Sequence, residues 1–164
     1  MIFLTVGTYP LPFDRLVRTV DTAIKKGCIE EEVFGQIGQC NYRPLNMEYV
    51  EMLEKEMFDY YVTEASSIIS HAGIGTIKIA LDNNKPLLVM PRLKKYGEVV
   101  NDHQVATARK FEELGHILAV YEAEDLPKRI EQLKSFVPTP RQAQPKAVAD
   151  RIAHFLRLLS ENHK

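Results

Sequence analysis

Ile68-Ile69-Ser70-His71-Ala72-Gly73-Ile74-Gly75-Thr76 takes an apolar run into a turn of small residues, and a helical pattern restarts at once behind it. That succession makes a place to hold phosphate. A strand brings the backbone to the edge of a sheet, glycines remove side chains that would block close approach, and the next helix presents unpaired N–H groups at its positive end. The ligand it predicts is an anion, a nucleotide diphosphate above all.

Outward from this turn, short β-rich runs alternate with longer segments of helical period. Residues 2–6 are strand-like, and 13–26 carry Phe13, Leu16, Val17, Val20 and Ile24 on one helix face. A second strand is predicted over 32–37, then an irregular stretch with Gly38 and Pro44, and a short strand over 49–53. Helix follows over 54–65, strand over 67–70, helix over 75–82, strand over 86–90, helix over 102–114 and strand over 116–121. A helix over 125–133 is broken by Pro138-Thr139-Pro140, and a last helix spans 146–159. The alternation predicts an α/β domain: a Rossmann-like parallel sheet with helices on both faces.

The 164 residues suit one domain with a full core, so 1–164 is expected to be a single unit. With 21 Lys+Arg against 22 Asp+Glu, a net charge of -1 gives no electrostatic reason for a nucleic-acid partner. Any anion must be bound locally. Cys28 and Cys40 stand apart, with no second pair and no histidine cluster, and are read as free thiols of a reducing cytoplasm. The first apolar run meets Gly7 too early for a signal peptide and has no basic leader. No stretch approaches the ~20 apolar residues of a membrane span, so work at a membrane would need another anchor.

Ligands of open parallel sheets bind outside the carboxyl ends of the strands, which singles out three loops. These are Gly7-Thr8-Tyr9-Pro10, the turn from His71 to Thr76, and Pro91-Arg92-Leu93-Lys94-Lys95-Tyr96-Gly97-Glu98-Val99-Val100-Asn101-Asp102-His103-Gln104. A dinucleotide fingerprint fails, because Lys78 stands where G-x-G-x-x-G needs its third glycine and the motif belongs in the first βα turn. A Walker loop lacks its Gly-Lys-Ser/Thr ending.

The segments Ser70-His71-Ala72-Gly73-x-Gly75-Thr76, Lys85-Pro86-Leu87-Leu88-Val89-Met90-Pro91 and Asn101-Asp102-His103-Gln104 resemble the C-terminal, donor-binding half of GT-B glycosyltransferases, of the glycosyltransferase family 28 C-terminal type. The similarity covers nearly the whole chain. It is greatest to the small subunits of two-part transferases: the UDP-GlcNAc transferase of N-glycan assembly and PssE/EpsF-like subunits of exopolysaccharide assembly. The stretch from Pro91 to Glu98 together with Asn101 to Gln104 favours the exopolysaccharide group.

The resemblance implies a UDP-sugar-dependent transferase, active with a membrane-anchored partner that supplies the acceptor half and presents a lipid-linked acceptor. The sugar passed on would be a hexose or N-acetylhexosamine. Location would be cytoplasmic, peripheral to the membrane through the partner. No metal or other cofactor is implied, and the sequence has no Asp-x-Asp pair to hold one. Gly7, Thr8, His71, Ala72, Gly73, Gly75 and Thr76 would face the nucleotide diphosphate; Asn101, Asp102 and Gln104 would meet sugar hydroxyls, to which amides and carboxylates can bond. Arg92, Tyr96 and Glu98 are candidate contacts to phosphate or acceptor. No general base is identifiable. One departure stands out: relatives place a ribose-binding glutamate where this chain has Ile79.

Plainer readings accompany each assignment. His71 can brace the turn, Gly73 and Gly75 can let a helix pack closely, Arg92, Lys94 and Lys95 can form a solvated face, and Glu98 can sit in a surface salt bridge. His103 fits a helix start facing solvent, and His116, His154 and His163 show no partner pattern. In the last helix Val148, Ile152, Phe155, Leu156 and Leu159 make a stripe that packs on its own domain or, by the resemblance, docks on the partner. A non-catalytic nucleotide-binding or assembly subunit is the alternative function; an epimerase or hydrolase of GT-B architecture is a third.

Overall fold

The computed structural model describes residues 1–140 and Ala153. Apart from Ala153, the predicted helix over 146–159 and its apolar stripe lie outside the described residues.

The order is β1 (Ile2–Thr5), α1 (Asp14–Lys25), β2 (Val33–Gln36), β3 (Glu48–Val50), α2 (Lys55–Glu64), β4 (Ser67–His71), α3 (Ile74–Asp82), β5 (Leu87–Met90), α4 (His103–Glu113), β6 (Leu118–Ala119) and α5 (Leu126–Leu133). The six strands form one sheet in the order β3-β2-β1-β4-β5-β6, every pair parallel. Parallel strands covered on both faces need apolar residues at successive positions. Ile2, Phe3 and Leu4 in β1 and Leu87 to Met90 in β5 supply them, all buried. Alternate side chains then feed two cores. Ile2, Leu4, Val6, Leu88 and Met90 pack with α1 and α5 on one face; Phe3, Ile68, Leu87 and Val89 pack with α2, α3 and α4 on the other.

Five strands are shorter than the residue pattern predicts, and in β6 and β3 the reason is local. β6, expected over 116–121, is Leu118–Ala119 because the end of α4 takes the residues before it. Gly115 enters the left-handed region at φ 69° and donates to the Glu112 carbonyl at 2.9 Å, and His116 N donates to Phe111 at 3.0 Å. This is a Schellman cap. β3, expected over 49–53, is Glu48–Val50; beyond it the Leu53 amide donates to Gln36 Oε1 at 3.1 Å, drawing the chain across the carboxyl end of β2.

β1 and β4 are neighbours, yet the chain leaves β1 for β2 and β3 on one side before crossing to β4 on the other. A crevice opens at this reversal, beside the carboxyl ends of β1, β2 and β4.

Candidate functional site

The crevice is a cleft of about 670 Å³. Gly7 to Pro10 after β1, and His71, Gly75, Thr76 and Ile79 around the start of α3, form one side; Gln36, Met52, Leu53, Lys55, Phe58 and Asp59 form the other.

At the turn, Gly73 has extended backbone geometry and caps α3 without a side-chain bond, so the first amides of the helix have no intrahelical acceptor. The two glycines serve different ends. A Cβ at Gly73 would lie 2.0 Å from His71 Cε1, and one at Gly7, where φ is 74°, would lie 2.5 Å from His71 Nε2. Both therefore make room for the imidazole ring. A Cβ at Gly75 would meet nothing within 4 Å, and Gly75 is exposed to the cleft. No protein packing demands a glycine there.

Gln104 sets the state of His71. Its Oε1 accepts the Ala72 and Arg92 amides at 3.1 and 3.2 Å, which fixes the orientation of the side-chain amide and turns Nε2 toward His71 Nδ1 at 3.3 Å. A donor at Nδ1 leaves the imidazole proton on Nε2. Burial, with the Arg92 charge added, pulls the His71 pKa down to about 4, so the ring is neutral at pH 7. The result is an N–H donor, held in one tautomer, in the wall of the cleft.

The polar segment over 91–104 lies differently from its expectation. Gln104, expected at the sugar, is buried beneath the turn with its amide committed to Ala72, Arg92 and His71. Ala72 is buried too, and its N–H faces Gln104 rather than a diphosphate. Arg92, expected on a solvated face or at phosphate, is wholly buried. Its guanidinium donates to the carbonyls of Leu11, Pro12 and Glu98 at 2.9, 3.2 and 3.1 Å and of Val6 at 3.0 Å, and packs 4.6 Å from the Phe13 ring centre. It pins the loop after β1 to the loop after β5. Glu98 is neither a free base nor a surface pair. It is buried, takes Arg15 Nε and Nη2 at 2.9 and 2.8 Å, and accepts the Leu93 amide at 2.8 Å.

Asn101 and Asp102 are exposed at the start of α4, where Asn101 Oδ1 bonds His103 and Asp102 Oδ1 accepts the Lys94 amide at 2.7 Å. Tyr96 is exposed, its ring 5.1 Å from the Arg15 guanidinium carbon. None of these lines the cleft, whereas Gly7, Thr8, His71, Gly75 and Thr76 do. His116, read without a partner, has its Nδ1 2.7 Å from the Thr139 carbonyl. Cys40 is buried, with its thiol pushed up to about 11 by that burial, and both cysteines are free. Among the described residues no three His, Cys, Asp or Glu converge on a metal position, and no helix is long and apolar enough to cross a membrane.

The second wall of the cleft was missed at the sequence level. Gln36, at the carboxyl end of β2, was open to discovery by the same rule that picked out the other loops; Lys55, Phe58 and Asp59 carry no motif and reach the site through the placement of α2.

A parallel sheet with helices on both faces and its order reversed between β1 and β4 is a Rossmann-like fold, here that of one half of the GT-B architecture. The chain belongs to the glycosyltransferase family 28 C-terminal domain family, whose model matches residues 1–160. The UDP-N-acetylglucosamine transferase subunit ALG13 of Eremothecium gossypii is 41% identical over 58 residues, 35% of this chain and 27% of that protein. The chain thus spans about a quarter of that relative. The crystal structure of the kitacinnamycin glycotransferase matches at a TM-score of 0.62 and 20% identity, over 95% of this chain and 38% of that one. The solution structure of ALG13 matches at 0.59 and 20% identity, over 88% of this chain and 91% of that one. At those identities the likeness to the solved structures is one of fold.

Proposed function

We propose that the chain is the UDP-sugar-binding subunit of a two-component glycosyltransferase that passes a hexose or N-acetylhexosamine to a lipid-linked acceptor. One observation carries this reading: the start of α3 opens into the cleft at Gly75, where an added Cβ would meet nothing within 4 Å. A diphosphate seated there would receive backbone N–H bonds at the positive end of a helix, each charge-assisted bond stabilising it by about 1.5–3 kcal/mol. His71 Nε2–H adds a neutral donor. In transfer, an acceptor hydroxyl attacks the anomeric carbon, the bond from that carbon to the β-phosphate oxygen breaks, and UDP leaves with the charge these donors stabilise. Glu98 is committed to Arg15 and the Leu93 amide, so the hydroxyl proton goes to another base.

The match to one GT-B half supports a membrane-anchored partner that contributes the acceptor side and holds this chain at the cytoplasmic face. Exopolysaccharide assembly is the context favoured by the 91–104 segment. Co-expression with a candidate membrane partner, followed by transfer from UDP-GlcNAc, UDP-glucose, UDP-galactose and UDP-glucuronate to lipid acceptor, tests the reading. Transfer from one donor that requires both chains is expected. Transfer by the partner without this chain would make it a regulatory or assembly subunit instead.

A further inference from the structure

The cleft lies between two helices that both descend from the carboxyl edge of the sheet. α3 presents Gly75, Thr76 and Ile79 to it, and α2 presents Lys55, Phe58 and Asp59 at i, i+3 and i+4. The two walls differ in chemistry. The start of α3 suits phosphate, while Met52, Leu53 and Phe58 offer the flat hydrocarbon surface that a nucleobase covers. The ribose of a nucleoside diphosphate joins those parts, and its vicinal hydroxyls need acceptors.

The hydroxyls of Thr8, Tyr9 and Thr76 in the cleft can accept them as neutral groups, and a carboxylate accepts them more strongly. Ile79 is hydrocarbon. Gln36 also lines the cleft, but its Nε2 donates to Thr5 Oγ1 at 3.3 Å and its Oε1 receives the Leu53 amide at 3.1 Å. Asp59 is the one carboxylate among the lining residues. It lies one helical turn below the start of α2, as Ile79 lies one turn below the start of α3. Lys55 donates to its Oδ2, and among the described residues no protein group donates to Oδ1. A carboxylate has about four lone-pair directions over its two oxygens, so it can keep Lys55 and still accept two hydroxyls.

We propose that Asp59 accepts the ribose 2′- and 3′-hydroxyls of the nucleoside diphosphate, with Lys55 holding its carboxylate in place. This rests on the nucleotide reading above and assigns the ribose end of that site to α2. It makes the chain selective for ribonucleotides, and Asp59 the residue that confers the selectivity.

The test is calorimetric titration of the full chain and its Asp59→Asn and Asp59→Ala variants with UDP and with 2′,3′-dideoxy-UDP, with circular dichroism to confirm the fold. Wild type should bind UDP about a hundredfold more tightly than the dideoxy compound, about tenfold for each of two charge-assisted hydrogen bonds. Both variants should lose that preference by weakening for UDP alone, with dideoxy-UDP binding unchanged. Wild-type preference that survives in both folded variants, or a wild type that binds the two ligands equally, would overturn the assignment and leave the nucleotide site standing. Weakening of both ligands alike would make Asp59 a structural residue of the cleft. A folded wild type that binds neither ligand at millimolar concentration would remove the nucleotide reading and this inference with it.

Discussion

Alanine at Gly75 should make the protein more stable and a poorer binder, and alanine at Gly73, two residues away, should cost it stability. Gly75 is the second residue of α3, and glycine inside a helix is about 0.5–1 kcal/mol worse than alanine. Since the added Cβ would meet nothing within 4 Å, that gain is not offset by a clash. For a chain of this size it should raise Tm by about 1–4 °C. The same methyl stands where a diphosphate oxygen would approach the Gly75 amide, so UDP affinity should fall by about tenfold, or roughly 1.4 kcal/mol. At Gly73 the Cβ would be 2.0 Å from His71 Cε1 and 2.8 Å from both ring nitrogens. The ring has to leave, breaking its contact with Gln104; overpacking of about 1–3 kcal/mol and a lost hydrogen bond of about 1 kcal/mol act together. Urea denaturation and UDP titration on the two variants read both effects. A Gly75→Ala that binds UDP as wild type does would refute the diphosphate seat, and a destabilised one would refute the open space at its Cβ; a Gly73→Ala as stable as wild type would show that the ring is not wedged between glycines.

His71 predicts a pH dependence. Its folded pKa of about 4 lies below the ordinary 6.5, so its contribution to stability is full above pH 6.5 and is lost as pH falls toward 4, by at most about 3 kcal/mol. Denaturation at pH 7 and pH 4 should show wild type losing that much more than His71→Gln, and equal losses would place the titration elsewhere. Arg92→Ala leaves four backbone carbonyls without their donor and should cost about 3–5 kcal/mol; Arg92→Lys, which keeps the charge but not the fork, should still lose about 2 kcal/mol. A stable Arg92→Lys that had lost UDP binding would make Arg92 a ligand contact after all. Glu98→Gln should destabilise by about 1–3 kcal/mol while the reconstituted transferase keeps the shape of its pH–rate profile, and a vanished acidic limb would identify Glu98 as the base.

The parts of the fold that follow from local chemistry were legible in the residues. Continuous apolar runs such as Leu87 to Met90 announce a strand covered on both faces. The rule that ligands gather at strand ends picked out three loops, of which those after β1 and β4 reach the cleft, with Gly7, Thr8, His71, Gly75 and Thr76 in its lining, and that over 91–104 does not. What stayed hidden depends on partners distant in sequence. Arg92 stands near Lys94 and Lys95 in a polar run, and nothing local says that carbonyls from Val6, Leu11, Pro12 and Glu98 converge to bury it. Gln104 looks like a sugar-binding amide until β4 and β5 bring the Ala72 and Arg92 amides to its oxygen. Lys55 and Asp59 have the i,i+4 spacing of an ordinary solvent-facing ion pair, and only the placement of α2 in the fold brings them to the lining of the cleft.

The charged and amide side chains of the 91–104 loop that sequence alone nominates for chemistry are largely committed to holding backbone in position. Arg92 ties the loop after β1 to its neighbour, Glu98 ties α1 to the loop after β5 through Arg15, and Gln104 fixes both the turn and the His71 tautomer. Groups committed in this way cannot shuttle a proton without breaking the geometry they maintain. What they leave in the cleft is a set of fixed N–H donors, at the start of α3 and at His71, together with the Asp59 carboxylate on the opposite wall. Donors already oriented toward a leaving group stabilise its charge with no reorganisation at the moment of transfer. On the donor-subunit reading this divides the labour: this chain holds and discharges the nucleotide, and proton abstraction and acceptor recognition fall to the surface that closes over it.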